Sequence, residues 1–199
     1  MRYFVLNNSG FQKNGFASCQ FKGKVWTAPA LKCPNCGNFL TSLEWLPPYD
    51  VKLSNGILSD VIFGTINPFI VSQKFKEIYE QNNCSGIESF STVIAYQKGK
   101  YITQKYYYPK IKISDVRINL ISSNVILEKG NDCSVCQRGD RIFESIDRLV
   151  FENEEIITED IFGFKLLSGE IVVSENFKKL TECLSNITFT EASDFSIHF

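Results

Sequence analysis

Apolar positions fall along the chain in two alternating patterns. Val61-Ile62-Phe63 and Phe69-Ile70-Val71 are short apolar segments, and after Ser72 the period changes. Phe75, Ile78 and Tyr79 recur at i, i+3 and i+4, which predicts a helix capped by Ser72 and ending near Asn82-Asn83. Ser91 to Tyr96 and Tyr101 to Tyr108 predict a β-hairpin around Gln97-Lys98-Gly99-Lys100. Ile111, Ile113, Val116, Ile118 and Leu120 add further β-branched strand material. Upstream, residues 1–30 read as irregular strands and turns, with turn signals at Asn7-Asn8-Ser9-Gly10 and Asn14-Gly15. Leu46-Pro47-Pro48-Tyr49-Asp50 predicts a stiff, extended connector.

The order of these words repeats. Asp60-Val61-Ile62-Phe63-Gly64 begins 27 residues after Cys33, and Asp160-Ile161-Phe162-Gly163 begins 27 residues after Cys133. Each is followed by an apolar pair, a serine and a Phe-Lys: Ile70-Val71-Ser72 with Phe75-Lys76, then Val172-Val173-Ser174 with Phe177-Lys178. The second helical stripe runs on through Leu180 and Leu184, and both helices lead to a β-like segment holding Phe90 or Phe189. Residues 31–95 and 131–195 therefore read as an internal repeat, although recurrence of short apolar words by chance is the plainer alternative. Two copies are too few for a solenoid and suit a pseudo-twofold domain.

At 199 residues the chain fits one domain, residues 1–199, or two fused halves. The composition, 44% hydrophobic and 22% charged, is that of a soluble globular protein. A formal net charge of -1 gives no global attraction to nucleic acid or anionic membrane. The first residues lack the apolar core of a signal peptide, and the run from Val61 to Val71 is too short and interrupted to span a bilayer. The expected compartment is the cytoplasm, where thiols stay reduced; seven cysteines, an odd number, also argue against a disulfide framework.

Four of those cysteines form two pairs, Cys33-Pro34-Asn35-Cys36-Gly37 and Cys133-Ser134-Val135-Cys136. A C-x-x-C spacing lets two thiolates grip one tetrahedral ion, and structural zinc takes four ligands, so one shared site at Cys33, Cys36, Cys133 and Cys136 is the simplest reading. Gly37 supplies the positive φ of the first turn, whereas Gln137 stands in that place in the second, where a different turn is expected. Zinc ribbons separate their pairs by about 15–20 residues; here nearly a hundred intervene. Redox-labile dithiols and plain buried cysteines are the alternatives. Cys19, Cys84 and Cys183, each single, are expected to be small buried hydrophobes.

Other candidate chemistry is thinner. Tyr96, Lys98, Lys100, Tyr101, Lys105, Tyr106 to Tyr108, Lys110 and Lys112 interleave aromatic and basic residues, a pattern that could bind single-stranded nucleic acid. An ordinary hairpin with aromatic pairs on one face and solvated lysines on the other is the favoured reading. Glu152, Glu154, Glu155, Glu159 and Asp160 form an acidic run that could meet a basic partner, or simply a solvated surface. The only histidine is His198, at a position prone to fraying, and neither a phosphate loop nor a dinucleotide-binding loop occurs. An enzyme is not expected.

The cysteine pairs, the aromatic-proline lead-in at Trp26 and Pro29, and the Asp160 to Gly163 segment resemble the double-CxxCG family described in myxobacteria. That family's proline- and glycine-rich middle segment has a faint counterpart around Gly64 to Pro68. The closing pattern, an apolar pair, Ser174, Phe177, a helix and a terminal β-like segment, is similar to immunity proteins of bacterial polymorphic-toxin loci. The resemblance implies a non-enzymatic protein that binds and neutralises a cognate toxin, often made by the neighbouring gene. The expectation is therefore an α+β fold of two related halves tied by a zinc-ribbon-like four-cysteine site. Its expected function is toxin neutralisation by occlusion, with the acidic run as first candidate contact. The alternatives are a zinc-ribbon-like nucleic-acid-binding module using Lys98–Lys112 and a thiol-redox protein.

Overall fold

The computed structural model describes residues 2–7, 15–41, 43–64, 69–167 and 169–198. The turn expected at Asn8 to Gly10 and most of the segment from Gly64 to Pro68 lie outside them. The first half of the chain contributes β1 (Tyr3–Asn7), β2 (Cys19–Phe21), β3 (Trp26–Ala28), β4 (Glu44–Leu46), β5 (Asp50–Leu53), β6 (Val61–Ile62), β7 (Ile70–Ser72), α1 (Gln73–Gln81), β8 (Ile87–Gln97) and β9 (Lys100–Tyr101). The second contributes β10 (Tyr106–Ile111), β11 (Ile113–Ser114), β12 (Arg117–Ile118), β13 (Ile126–Leu127), β14 (Phe143–Ile146), β15 (Phe151–Glu152), β16 (Ile161–Phe164), β17 (Ile171–Ser174), α2 (Glu175–Thr181), β18 (Thr188–Glu191) and β19 (Ile197–His198). The content is mixed α+β.

Both helices begin where a serine can satisfy an orphan N–H. Ser72 Oγ accepts from Phe75 N–H at 3.3 Å, and Ser174 Oγ accepts from Phe177 N–H at 3.1 Å. The buried stripes of α1 (Phe75, Tyr79) and α2 (Phe177) meet, with the Phe75 and Phe177 rings edge to face at 6.0 Å. α2 is shorter than its apolar stripe suggests. Thr181 Oγ1 donates to Phe177 O at 2.7 Å, the helix is capped at Glu182, and Leu184 reaches the core from the following turn.

Two larger sheets organise the molecule. One has the order β2-β5-β8-β10-β7-β6, with β9 paired to β8; the other runs β11-β16-β17-β1-β18. Sequence neighbours are not always sheet neighbours. β10 lies between β7 and β8, with Tyr106 opposite Ser72 and Val93, while β1 lies between β17 and β18, with Phe4 opposite Val173 and Glu191. The strand that opens the second half thus completes a sheet of the first, and the strand that opens the first completes a sheet of the second.

The cores follow the same exchange. Tyr106 and Tyr108 pack with Cys19, Trp45, Val51, Leu53 and Ile62, whereas Tyr3 and Val5 pack with Phe143, Phe151, Phe162 and Phe164. A third cluster draws on both halves: Phe4, Val61, Val71, Phe75, Tyr107, Ile161, Val173 and Phe177. Two aspartates clasp its edge. Asp60 accepts from Ser72 Oγ at 2.8 Å and from Ser185 N–H and Oγ at 2.9 and 2.8 Å. Asp160 accepts from Ser174 Oγ at 2.9 Å and from Ser85 N–H and Oγ at 3.0 and 3.2 Å. Each carboxylate therefore holds the helix cap of its own half and the chain leaving the other half's helix.

No described helix is long and apolar enough to cross a membrane.

Candidate metal centre

The two cysteine pairs lie at the tips of matching ribbons: Cys33 and Cys36 between β3 and β4, Cys133 and Cys136 between β13 and β14. Each pair sits in one tight turn, closed by Gly37 N–H donating to Cys33 O at 2.9 Å and by Gln137 N–H donating to Cys133 O at 2.9 Å. The second turn was expected to differ because it lacks glycine. It does not differ: Gln137 takes a left-handed φ of 62°, close to the 74° of Gly37. Its buried side chain supplies the compensation. Gln137 Oε1 accepts from Ile118 N–H at 3.0 Å, and Gln137 Nε2 donates to Ile118 O at 2.7 Å, like one more rung of a sheet.

Gly139 extends that turn at φ 65°, and a Cβ there would fall 2.0 Å from Asn131 O. Only glycine lets the second knuckle close this tightly.

All four Sγ atoms lie within 4.8 Å of one another. The cross-pair separations are 3.7 Å for Cys33 to Cys133 and 3.6 Å for Cys36 to Cys136. A tetrahedral ion with metal–sulfur bonds of about 2.3 Å places its sulfurs about 3.8 Å apart, so the set fits such an ion. The separations are far too long for disulfides, and the four thiols are free. Cys33, Cys133 and Cys136 are buried with Leu40, while Cys36 is exposed.

Donors point at the sulfurs: Asn35 Nδ2 donates to Cys133 Sγ at 3.3 Å and Gly139 N–H to Cys136 Sγ at 3.5 Å. The Asn35 amide, with the backbone N–H groups of Cys136 and Val135, draws the Cys133 thiol down to about 6. At Cys36 the Asn38 N–H pulls the other way from burial and from hydrogen bonds shared with the other thiols, which together leave it at about 12. Donors from the protein thus favour the Cys133 thiolate, while the neighbouring thiols disfavour that of Cys36. A divalent cation is what allows four clustered thiols to ionise together. These four cysteines could hold one.

The remaining cysteines do not form a class. Cys19 is fully buried, and burial raises its thiol to about 12; Cys84 is half-buried and raised to about 11, again by burial; Cys183 is exposed. The expectation of three buried hydrophobes holds for Cys19 alone. His198 is ordered as part of β19, paired with Ser145, and its Nε2 lies 3.9 Å from Asp147 Oδ1.

The two other candidate surfaces come apart. Tyr106, Tyr107 and Tyr108 are buried, Lys110 pairs with Glu44 and Glu88, and Lys112 pairs with Glu159. Of the aromatic–basic ribbon, Lys98, Lys100, Tyr101, Lys105 and Lys112 are exposed and Tyr96 is partly buried. The acidic run is no continuous solvated face either. Glu152 pairs with Arg117 at 3.5 Å, Glu159 is buried against Lys112, and Asp160 belongs to the serine clasp. Sequence reasoning missed that clasp, although the Asp-to-Ser spacing common to both halves was its visible trace.

Comparison with known protein families gives a match. The profile of an immunity protein family (Imm11) matches residues 51–194, a span that takes in the second cysteine pair, both helices and both aspartates of the clasp. No curated protein matches the chain.

Proposed function

The chain belongs to the immunity protein family Imm11, and from that premise we propose that it binds a cognate bacterial toxin in the cytoplasm and neutralises it by occlusion, without catalysing a reaction. The family match over residues 51–194 carries this reading. In this reading Cys33, Cys36, Cys133 and Cys136 hold one zinc ion, which with four thiolates has no open coordination position and serves as structure. The ion ties together two ribbons a hundred residues apart and stiffens the surface presented to the toxin.

The same proposal takes residues 1–199 as a single domain built by duplication. The reciprocal strand exchange of β1 and β10, the paired aspartate clasps and the matched cysteine turns support two related halves about a pseudo-twofold axis. Occlusion needs a preformed surface, and a covalently continuous, doubly interlocked unit provides one.

Immunity is tested by co-expressing this protein with the product of the adjacent upstream gene, scoring growth rescue and co-purification. The expected result is rescue with a stable complex. A toxic neighbour that kills equally well with and without this protein, or a harmless neighbour that does not bind it, would refute the reading.

A further inference from the structure

Over β2, β5, β8 and β9 one face of the larger sheet is uncovered, and it is basic. Gln20, Lys52, Tyr96 and Tyr101 lie in register across β2, β5, β8 and β9. The alternate residues, Cys19, Val51, Leu53 and Ala95, face the core, so this row faces outward. One row further, Lys22 and Asp50 lie opposite Ile94, which is 41% exposed. Lys98 projects from the β8–β9 turn, and Lys98, Gly99, Lys52, Gln20 and Ser54 line a shallow open depression at the end of the sheet. Gln97 Nε2 fixes its rim by donating to Ser54 O and Gly56 O, both at 2.9 Å.

The charge on this face is unbalanced. Lys22, Lys52 and Lys98 are all exposed, and none pairs with a carboxylate among the described residues. Lys22 Nζ instead sits 3.0 Å over the Tyr96 ring. The carboxylate in these rows, Asp50, keeps Oδ1 buried with no hydrogen-bond partner among the described residues and offers it to none of these lysines. In a chain of net charge -1, such a face leaves the rest of the surface net acidic.

We propose that this outer face of β2, β5, β8 and β9 is the docking surface for the toxin, and that the toxin meets it with a carboxylate-rich patch. The inference rests on the immunity reading and names the chemistry of its partner. Unpaired ammonium groups around Tyr96, exposed Tyr101 and exposed Ile94 reproduce the apolar centre and charged rim of a protein interface, and a one-signed face accelerates encounter with its complement. Nucleic acid fits less well. These rows contain no arginine to fork onto phosphate. Lys22 occupies one face of Tyr96, and the Tyr96 and Tyr101 rings meet at 74°, so they form no pair of parallel stacking platforms.

The test uses the full-length protein and the purified product of the adjacent toxin gene. Lys52→Glu with Lys98→Glu, both exposed and outside the core, should leave the melt unchanged and lower affinity by at least about tenfold, chiefly through the association rate. Amine acetylation of the wild-type complex, read by mass spectrometry, should show Lys22, Lys52 and Lys98 protected. A complex of undiminished affinity with these lysines still reactive overturns the surface and leaves immunity standing. A toxin that fails to bind the wild-type protein overturns the immunity reading and this one with it. Salt-sensitive binding of a single-stranded oligonucleotide, lost in the same variant, would replace the acidic protein partner with nucleic acid.

Discussion

Gln137 performs two tasks where Gly37 performs one. It holds a left-handed backbone that glycine adopts without cost, and its amide closes both hydrogen bonds of Ile118. Gln137→Ala keeps the unfavourable φ and strands a buried N–H and C=O, so it should destabilise the protein by about 2–4 kcal/mol in urea melts. A loss below about 1 kcal/mol would mean that the amide contributes little. Asp60 gives a second residue-level expectation. Burial raises its carboxyl, but hydrogen bonds from Ser185 N–H and Oγ and from Ser72 Oγ outweigh that and hold it below the usual carboxylate range. Because the folded pKa is depressed, its contribution is complete above the unfolded pKa and is lost as pH falls through the folded one. The stability gap between wild type and Asp60→Asn should therefore narrow on acidification; a gap constant from neutral to acid pH contradicts the clasp's ionic character.

At the scale of elements, the cysteine ribbons depend on one another. Apart from Leu40, the cluster at their contact is made of the cysteines themselves, so little apolar packing joins the tips. The purified protein should therefore carry one zinc per chain, and Cys133→Ser should abolish that stoichiometry and lower the melting temperature. Metal-free protein with an unchanged melt would refute the zinc reading. The helices were the most legible elements, because a serine cap followed by Phe at the third position is a local signal that survives any tertiary context. The hairpin was legible too, in its turn: Lys98 and Gly99, with φ of 51° and 75°, make the tight reversal that Gln97 to Lys100 predicts. Its far strand was less so. β10 pairs with β8 as expected, yet its tyrosines are core residues, because Trp45 and Leu53 cover Tyr106 and Tyr108 on one face and Phe75 and Tyr79 cover Tyr107 on the other.

For the whole molecule, the exchange of β1 and β10 decides stability. A fragment of residues 1–102 lacks β10 and leaves β7 and β8 unpaired along their facing edges, while a fragment of residues 103–199 lacks β1 between β17 and β18. Neither fragment should melt cooperatively as a monomer, whereas the two co-expressed should recover a folded complex. A monomeric half with a cooperative transition would show that the halves are independent. The shared cluster around Phe75 and Phe177 argues for interdependence, since each half alone would expose it.

The sequence by itself determined the local features: helix caps, the hairpin turn, two metal-spaced cysteine pairs, and the recurrence of Asp, apolar pair, serine and phenylalanine. Each rests on interactions within a few residues, which a linear pattern records directly. Tertiary structure alone decided where the pieces went. Which strand fills which sheet depends on pairings distant in sequence, such as Tyr106 with Ser72 and Phe4 with Glu191, and no periodicity within a strand names its neighbour. The fate of charges was decided there as well: Glu159 and Asp160 were drawn into internal contacts, while Lys22, Lys52 and Lys98, distant in sequence, came together on one open face. A charge is free or spent according to what folds against it, and that is set by long-range packing rather than by the residues beside it.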